Sequence, residues 1–314
     1  MSSKPVMNDL FGGQSEGGFL GIPSADIGVV GDAKIVILGV PTATPYPSVG
    51  AYCAEAPDTI RNAMGWPGIL GHHDFDLGGP ILPEGVGAMD WGNLRYGEDA
   101  AFNRQQVSAT VKSILNGDAV PLVLGGDDSV VTPVLQAYAE HGPITILQID
   151  AHIDWRDNVN GEQWGLSSTM RRASEMPWVE QIVLVGARSI GSARTADYQH
   201  ALSTGATFFP MREFRRQGIG SVLDAIPAEA NLFITLDVDG LDPTIMPSVI
   251  GPAPGGLTYW DFVELVTGAA EKSRSIVGFD IVELLPDADI DGQGARLAAR
   301  IVATMIGVIG RQFE

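Results

Sequence analysis

Short apolar runs alternate with longer stretches of helical periodicity along most of the chain. Runs rich in Val, Ile and Leu predict buried strands, and apolar positions spaced three and four residues apart predict amphipathic helices. The predicted strands cover residues 34–40, 86–90, 120–125, 144–149, 181–185, 231–236 and 275–281. The predicted helices cover residues 58–64, 99–115, 129–140, 258–272 and 293–309.

This alternation predicts the fold class α/β, as a three-layer α/β/α structure with a mostly parallel central sheet. The chain contains no internal repeat, no long low-complexity linker and no break in composition. We therefore expect a single domain over residues 33–314. A glycine-rich N-terminal arm, residues 1–32, precedes it and is interpreted as a lid or an oligomer contact.

The charge balance narrows the classes of partner. The chain has 314 residues, and its 38 acidic against 19 basic residues give a formal net charge of -19. Nucleic acids and anionic membrane surfaces are therefore not expected as partners, whereas a cationic substrate is. Ordinary solubility of an acidic protein explains most of the same charge balance.

Cysteine usage and the chain ends favour a cytoplasmic protein. Cys53 is the only cysteine, so neither an intrachain disulfide nor a thiolate metal cluster can form, and we interpret Cys53 as a buried or half-buried spectator. No export signal is recognisable at the N-terminus. The apolar segment 297–310 is too short to span a bilayer and carries Arg300, so it is predicted to be a core helix.

Acidic residues follow four of the predicted strands. The sequences are GGDDS at 125–129, DAHID at 150–154, DVDGLDP at 237–243 and VELLPDAD at 282–289. Ligands of open α/β sheets bind beyond the carboxyl ends of the strands, where these acids would meet. A single Asp-x-Asp pair is usually a loop or a helix cap. Four such clusters together predict a cation site.

The spacing within two clusters suits a pair of cations. In extended chain, residues i and i+2 lie on one side about 6.6 Å apart, and neighbouring strands lie about 4.8 Å apart. We therefore expect Asp150 and His152 to face Asp237 and Asp239, around two ions roughly 3.5–4 Å apart. Oxygen ligands with one imidazole and no thiolate favour Mn, Ni or Co over a structural zinc.

At these motifs the chain resembles the ureohydrolase family, which includes the arginases and agmatinases. The family motifs GGDHS, DAHxD and SxDxDxxDPxxxP stand here, in order, as GGDDS, DAHID and TLDVDGLDPTIMP. PGGLT and DIVELLP follow, and the resemblance extends over residues 35–310. It implies a trimeric or hexameric enzyme, either homomeric or mixed with a related subunit, that hydrolyses a small cationic guanidino compound to urea and an amine.

The resemblance also implies a ligand set for two divalent ions per chain, Mn or Ni. The implied metal ligands are Asp128, Asp150, His152, Asp154, Asp237 and Asp239. Asp150 and Asp237 would bridge both ions, and Asp154 would also act catalytically by passing a proton to the leaving amine. Glu283 is the second implied catalytic residue and would pair with the substrate guanidinium.

The first departure from the family pattern is Asp128, where relatives carry His. A carboxylate still binds a hard cation, but the added negative charge should raise the pKa of a metal-bound water. A helix-capping role for Asp128 is the competing interpretation.

For the whole chain, two further functions stay open: a non-catalytic or supporting subunit of a mixed ureohydrolase assembly, and a metal-dependent deacylase on a similar scaffold.

Further departures concern the substrate pocket. Leu166 and Ser167 stand where many relatives have a His-Gly pair whose His is thought to shuttle protons, and the usual Arg before Gly50 is missing. In the predicted substrate loop, Val249, Ile250 and Ala253 replace polar residues. Less polar walls disfavour arginine, whose head group would lack partners. Agmatine-like amines, short guanidino acids, guanidine, and N-alkylated guanidines or biguanides such as metformin remain open.

Several other polar residues receive lesser roles. His72 and His73 are interpreted as loop or interface residues, either of which would replace the missing shuttle if its loop covered the site. Asp242 is expected to cap a turn rather than bind metal. Trp155 and Arg156 are placed either at the substrate mouth or in the structural framework.

Overall fold

The computed structural model describes residues 17–314, which contain an eight-stranded, fully parallel sheet. Its strands are β1 (Ala33–Val40), β4 (Gly87–Asn93), β5 (Val120–Gly125), β6 (Ile144–Ile149), β7 (Val179–Val185), β8 (Thr207–Phe209), β9 (Asn231–Asp237) and β10 (Ser275–Val282). The strand order is β4-β1-β5-β10-β9-β6-β7-β8. A separate antiparallel hairpin joins β2 (His73–Asp74) to β3 (Gly79–Pro80).

Helices connect the strands, as a parallel sheet requires. Within the described residues they are α1 (Ala56–Ala63), α2 (Ala100–Asn116), α3 (Val131–Gln136), α4 (Thr169–Ser174), α5 (Thr195–Ser203), α6 (Met211–Gln217), α7 (Ile219–Ala225), α8 (Tyr259–Lys272) and α9 (Gln293–Gly310). Short 3-10 turns extend α3 at both ends, over Asp128–Val130 and Ala137–Glu140.

The two faces of the sheet are covered by separate hydrophobic clusters. One contains α1, α8 and α9, and the other contains α2, α3 and α4. Helix α9 is buried along most of its length, which explains its continuous apolar sequence. The predicted three-layer α/β/α architecture is therefore confirmed. Among the described residues, no helix is both long enough and apolar enough to cross a membrane.

All seven predicted strands and all five predicted helices occur, with shifts of a few residues at their ends. The sequence analysis missed the short edge strand β8, the β2–β3 hairpin and the helices α4 to α7. These helices are six to nine residues long, so each offers only about two turns of periodicity to recognise.

The described part of the N-terminal arm packs against the edge of the sheet. Phe19 and Leu20 are buried, and the Phe19 amide donates to the Asp90 carboxylate at 2.8 Å. Asp90 is also held by Arg61, with 2.9 Å between Arg61 Nε and Asp90 Oδ2. The first 16 residues lie outside the described residues, and the domain boundary at residue 32 stays a prediction.

The sheet order places the acidic motifs together. Strands β5, β10, β9 and β6 are consecutive neighbours in the centre of the sheet, and each acidic cluster directly follows one of them. Because the strands are parallel, all four clusters lie at the same edge.

Candidate metal centre and active site

The register between β6 and β9 brings two buried carboxylates face to face. Ile149 pairs with Leu236, so the next residues, Asp150 and Asp237, stand opposite each other as the strands end. Each carboxylate accepts a hydrogen bond from the amide two residues later, at 2.6 Å from His152 and 2.7 Å from Asp239. The chain therefore turns here. The expectation of extended i and i+2 pairs was wrong in detail, although the residues do converge.

His152 lies against two of these acids. Its Nδ1 is 2.9 Å from Asp239 Oδ2 and 3.6 Å from Asp150 Oδ1. Asp150, His152 and Asp239 each direct one ligand atom into a group with all separations within 4.8 Å. Hydrogen bonds to Asp150 and Asp239 raise the pKa of His152 to about 11. These two acids therefore favour the protonated, cationic form of His152.

Asp128 faces the site rather than capping a helix. The cap of the Asp128–Val130 turn is Asp127, whose side chain accepts from the Ser129 amide and from Thr42. The Asp128 carboxylate accepts a 2.6 Å hydrogen bond from Thr169 Oγ1. Of the two acids in GGDDS, Asp127 therefore stabilises the turn and Asp128 faces the site.

The glycines of GGDDS allow this turn to pack closely against neighbouring segments of the same protein. A Cβ on Gly126 would lie 1.7 Å from the Pro41 carbonyl oxygen, and one on Gly125 would lie 2.6 Å from Val282. A larger residue would displace this turn from Pro41 at position 126 or from Val282 at position 125.

Asp154 is held in an uncommon backbone conformation, with φ +46°. Its carbonyl oxygen accepts from the first amides of α4, those of Met170 and Arg171, both at 3.1 Å. The side-chain amide of Gln148 donates both to Asp154, at 3.1 Å, and to Asp150, at 2.7 Å. Gln148 thereby fixes the positions of two acids that would otherwise repel each other.

Glu283 also has a left-handed backbone conformation, with φ +69°. Its Oε1 accepts from the Asp128 amide at 2.8 Å, and its Oε2 accepts from the Tyr52 hydroxyl at 2.5 Å. Burial, with the nearby Asp127 charge, raises the pKa of Glu283 to about 8. The carboxylate is thus anchored on both oxygens at the end of β10.

The electrostatics of the cluster fit bound cations. Burial, followed by repulsion from neighbouring acids, raises the pKa values of Asp128, Asp154 and Asp237 well above their ordinary range. Burial alone would do the same to Asp150, but the hydrogen bond from His152 lowers its pKa. Buried carboxylates at this density are costly unless cations neutralise them. The six predicted ligand residues are therefore a chemically suitable donor set for divalent metal ions.

A cavity of about 270 Å³ opens above this cluster. Asp128, His152, Asp154, Asp237, Asp239 and Glu283 line it, while Asp150 lies buried beneath. Leu166 and Ser167, at the position of the family's His-Gly pair, form part of the wall, and so does Ile250. Val249 and Ala253 are buried and do not line the cavity, so the expectation that they form the pocket wall was wrong.

Trp155 and Arg156 both reach the cavity, as one of the two interpretations proposed. Trp155 is almost fully buried and donates from Nε1 to His200 Nδ1 at 3.0 Å. Arg156 lies beside Asp197, a residue that the sequence analysis did not select.

His72, His73 and Cys53 do not line the cavity. His72 contacts Trp66 and His73 contacts Phe75, and neither lines the cavity. Neither therefore replaces the missing shuttle in this conformation. Burial raises the pKa of the Cys53 thiol, in keeping with a spectator role.

Asp242 holds a loop together, as expected. Its Oδ1 accepts from Thr244, and its Oδ2 accepts from the amides of Gly255 and Gly256 at 2.8 and 3.1 Å.

Four supporting residues were missed in the sequence: Tyr52, Gln148, Thr169 and Asp197. Only Gln148 gave a local signal, because a polar amide in the middle of an apolar strand needs partners. The other three approach the site from distant segments, so their contacts depend on the complete fold.

Comparison with known proteins supports this description. Residues 33–307 match the model of the Arginase family. The chain is 31% identical over 272 residues to "Arginase 1, mitochondrial" of Arabidopsis thaliana, covering 82% of this chain and 76% of that protein. It is 30% identical over 211 residues to "Agmatinase, mitochondrial" of Gallus gallus, covering 65% of this chain and only 61% of that protein.

Solved structures show the same fold. Proclavaminate amidino hydrolase from Streptomyces clavuligerus superposes with a TM-score of 0.82 at 24% identity, covering 94% of this chain and 97% of that one. Agmatine ureohydrolase of Thermoplasma volcanium superposes with a TM-score of 0.75 at 26% identity, covering 90% and 92%. The family match, the similarity to arginase and the shared fold together show that the chain belongs to the Arginase family of amidinohydrolases.

Proposed function

We propose that this protein hydrolyses a small cationic guanidino compound to urea, or to a related amidino product, and an amine. The proposal covers agmatine-like substrates and N-alkylated guanidines or biguanides. It includes two divalent ions per chain, Mn or Ni, and a trimeric or hexameric assembly. The relatives named above are an arginase, an agmatinase, an amidino hydrolase and an agmatine ureohydrolase.

The observation that carries the proposal is the convergence of five aspartates and His152 at the floor of one cavity. Such a cluster is unfavourable by itself, because burial and mutual repulsion oppose ionisation of most of its acids. Cations bound by Asp128, Asp150, His152, Asp154, Asp237 and Asp239 would remove that cost. Two divalent ions, when bound, would supply positive charge and a water of lowered pKa.

The surrounding residues have complementary roles in the hydrolysis. Glu283, anchored by Tyr52 and the Asp128 amide, would orient the planar guanidinium through its carboxylate. The attacking water adds to the guanidinium carbon, whose C=N double bond becomes single, and the bond to the leaving nitrogen breaks when the double bond re-forms. Asp154, buried at the cavity floor, would accept the proton of that water and deliver it to the departing amine.

Leu166 occupies the wall position where many relatives have a histidine, so Asp154 would transfer the proton to the leaving amine without that histidine. A supporting subunit of a mixed assembly would need no such transfer. The distinction between an enzyme and a supporting subunit therefore rests on turnover by the isolated chain.

The test is metal analysis of the purified protein followed by a screen of guanidino compounds, with urea and the released amine both quantified. We expect two ions per chain and equal amounts of the two products. Asp154→Asn should remove turnover, whereas Asp157→Asn, at a largely exposed acid, should not. Metal-loaded protein that releases neither product from any compound, alone or with a related subunit, would refute the proposal. Release of a carboxylate from amides would instead indicate a deacylase.

A further inference from the structure

Opposite charges stand side by side in the wall of the cavity. Arg156 lies two residues after Asp154, and Asp197 lies in the first turn of α5. Both line the cavity, and their side chains are 22% and 14% exposed. Arg156 Nη1 is 3.5 Å from Asp197 Oδ2.

This pair is open, in the sense that the two side chains face each other without a direct hydrogen bond. Hydrogen bonds between a guanidinium and a carboxylate usually measure about 2.7–2.9 Å. Within residues 17–314, neither Arg156 Nη1 nor Asp197 Oδ2 has a hydrogen-bond partner, although both atoms are buried. Buried polar atoms normally find partners. The two atoms therefore form an ion pair without a hydrogen bond in the wall of the cavity, and a substrate group would reach them only by entering between the two side chains.

We propose that Arg156 and Asp197 bind the end of the substrate opposite its guanidino group, and that this end group is dipolar. It would carry a hydrogen-bond acceptor for Arg156 next to a donor for Asp197 and would be neutral overall. This inference rests on the proposed function, because it assigns the tail of the same guanidino substrate, and it narrows the proposed range to guanidino compounds whose tail is dipolar rather than an ammonium or an alkyl group.

Geometry and charge both favour a dipolar group. The oxygen and nitrogen of a carboxamide or urea lie about 2.2 Å apart, so they can bond to the two wall atoms with only a slight divergence. A carboxylate would meet the charge of Asp197, and an ammonium would meet that of Arg156. An alkyl end would leave both wall atoms without a hydrogen bond. The head group of an α-amino acid also presents both signs, so it is a second source of the same chemistry, and the expectation from the sequence that such a head group would lack partners does not hold for a wall that contains this pair.

The experiment uses metal-loaded protein and matched compounds that differ at one end: 4-guanidinobutanamide, 4-guanidinobutyrate, agmatine, n-butylguanidine and arginine. Both ligand-induced thermal stabilisation and kcat/KM are measured. We expect the amide to exceed the carboxylate, ammonium and alkyl compounds by about tenfold or more. Comparing the amide with arginine identifies which dipolar source is preferred.

Two substitutions should reverse the preference. Arg156→Met leaves Asp197 alone in the wall and should favour agmatine over 4-guanidinobutyrate. Asp197→Asn leaves Arg156 unopposed and should favour the carboxylate over agmatine. Arg216→Met and Glu213→Gln, at an exposed ion pair outside the cavity lining, are the matched controls and should change neither order.

The outcomes separate this inference from the proposed function. Equal binding of all tails, or an unchanged order in both variants, would overturn the role of the pair even if urea is formed. Stabilisation with the predicted order but no urea would support the subsite and refute the hydrolase. No stabilisation by any compound would overturn the inference.

Discussion

The hydroxyl of Tyr52 donates a hydrogen bond of 2.5 Å to Oε2 of Glu283, across 231 positions of the sequence. Oε1 of the same carboxylate accepts from the Asp128 amide. Glu283 is thus oriented from both sides, and Tyr52 connects the segment before α1 to the end of β10. The hydrogen bond favours the charged form of Glu283 and opposes the effect of burial on its pKa.

Tyr52→Phe should therefore weaken substrate orientation and raise the pKa of Glu283. We expect kcat/KM to fall by roughly ten- to a hundredfold, the range for loss of a hydrogen bond to a charged group. The acidic limb of the kcat/KM profile should move to higher pH, because Glu283 would ionise later. Tyr96→Phe, at a half-exposed tyrosine, is the matched control. A change in activity without movement of the pH profile would count against a positioning role.

Asp128 is predicted to be a metal ligand, since Asp127 already provides the cap. Asp128→Ala should lose one of two ions, while the ion held by Asp150, His152, Asp237 and Asp239 remains. Asp128→His should keep both ions and move the rise in activity to lower pH, because one negative ligand is removed. Metal content and pH–rate profiles of the two variants check these outcomes.

Asp127→Asn is the matched control for that pair of variants. It should retain both ions and most of its stability, because the Asn side-chain oxygen caps a helix about as well as a carboxylate does. If Asp128→Ala retains two ions and normal turnover, Asp128 is not a ligand. If Asp127→Asn loses an ion, the division of roles between the two acids is incorrect.

Asp237→Ala should abolish binding at both metal positions, because this carboxylate is predicted to bridge them. Saturating metal would then no longer stabilise the protein, a loss of about 2.7 kcal/mol per site at one hundred times Kd. Calorimetry with and without a chelator measures this difference. Full occupancy in the variant would contradict the bridging assignment.

The stability of the metal-free chain should fall as pH rises. Hydrogen bonds to Asp150 and Asp239 raise the pKa of His152 to about 11, and burial raises that of Glu283 to about 8. At pH values between the unfolded and folded pKa values, the folded metal-free chain therefore binds more protons than the unfolded chain. Its free energy of unfolding consequently falls as pH rises. The relevant windows run from the ordinary carboxyl pKa to about 8 for Glu283, and from the ordinary imidazole pKa to about 11 for His152.

Metal ions should compete with those protons. The difference in Tm between metal-loaded and chelator-treated protein should therefore widen between about pH 6 and pH 9. Thermal scans at several pH values, in one buffer ionic strength, would measure this gap. A gap that narrows towards high pH would contradict the assigned protonation of the cluster.

The sequence by itself determined the fold class and the edge of the sheet at which the acids meet. Long periodic segments such as α2 and α9 and apolar runs such as β5 and β6 are local signals, because burial imposes a period on the residues of each element. The acids at 128, 150, 154, 237 and 239 follow such runs, so parallel strands necessarily bring them to one edge.

Only the tertiary structure decided which side chains complete the site. The division of GGDDS into a cap, Asp127, and a site residue, Asp128, depends on where Thr42 and Thr169 lie. The contact of Tyr52 with Glu283 joins segments that have no common pattern in the sequence. The open pair of Arg156 and Asp197 forms only because α5 packs beside the loop after β6. Hydrogen bonds and ion pairs act over a few ångströms, and residues far apart in sequence reach that range only when the whole chain has folded.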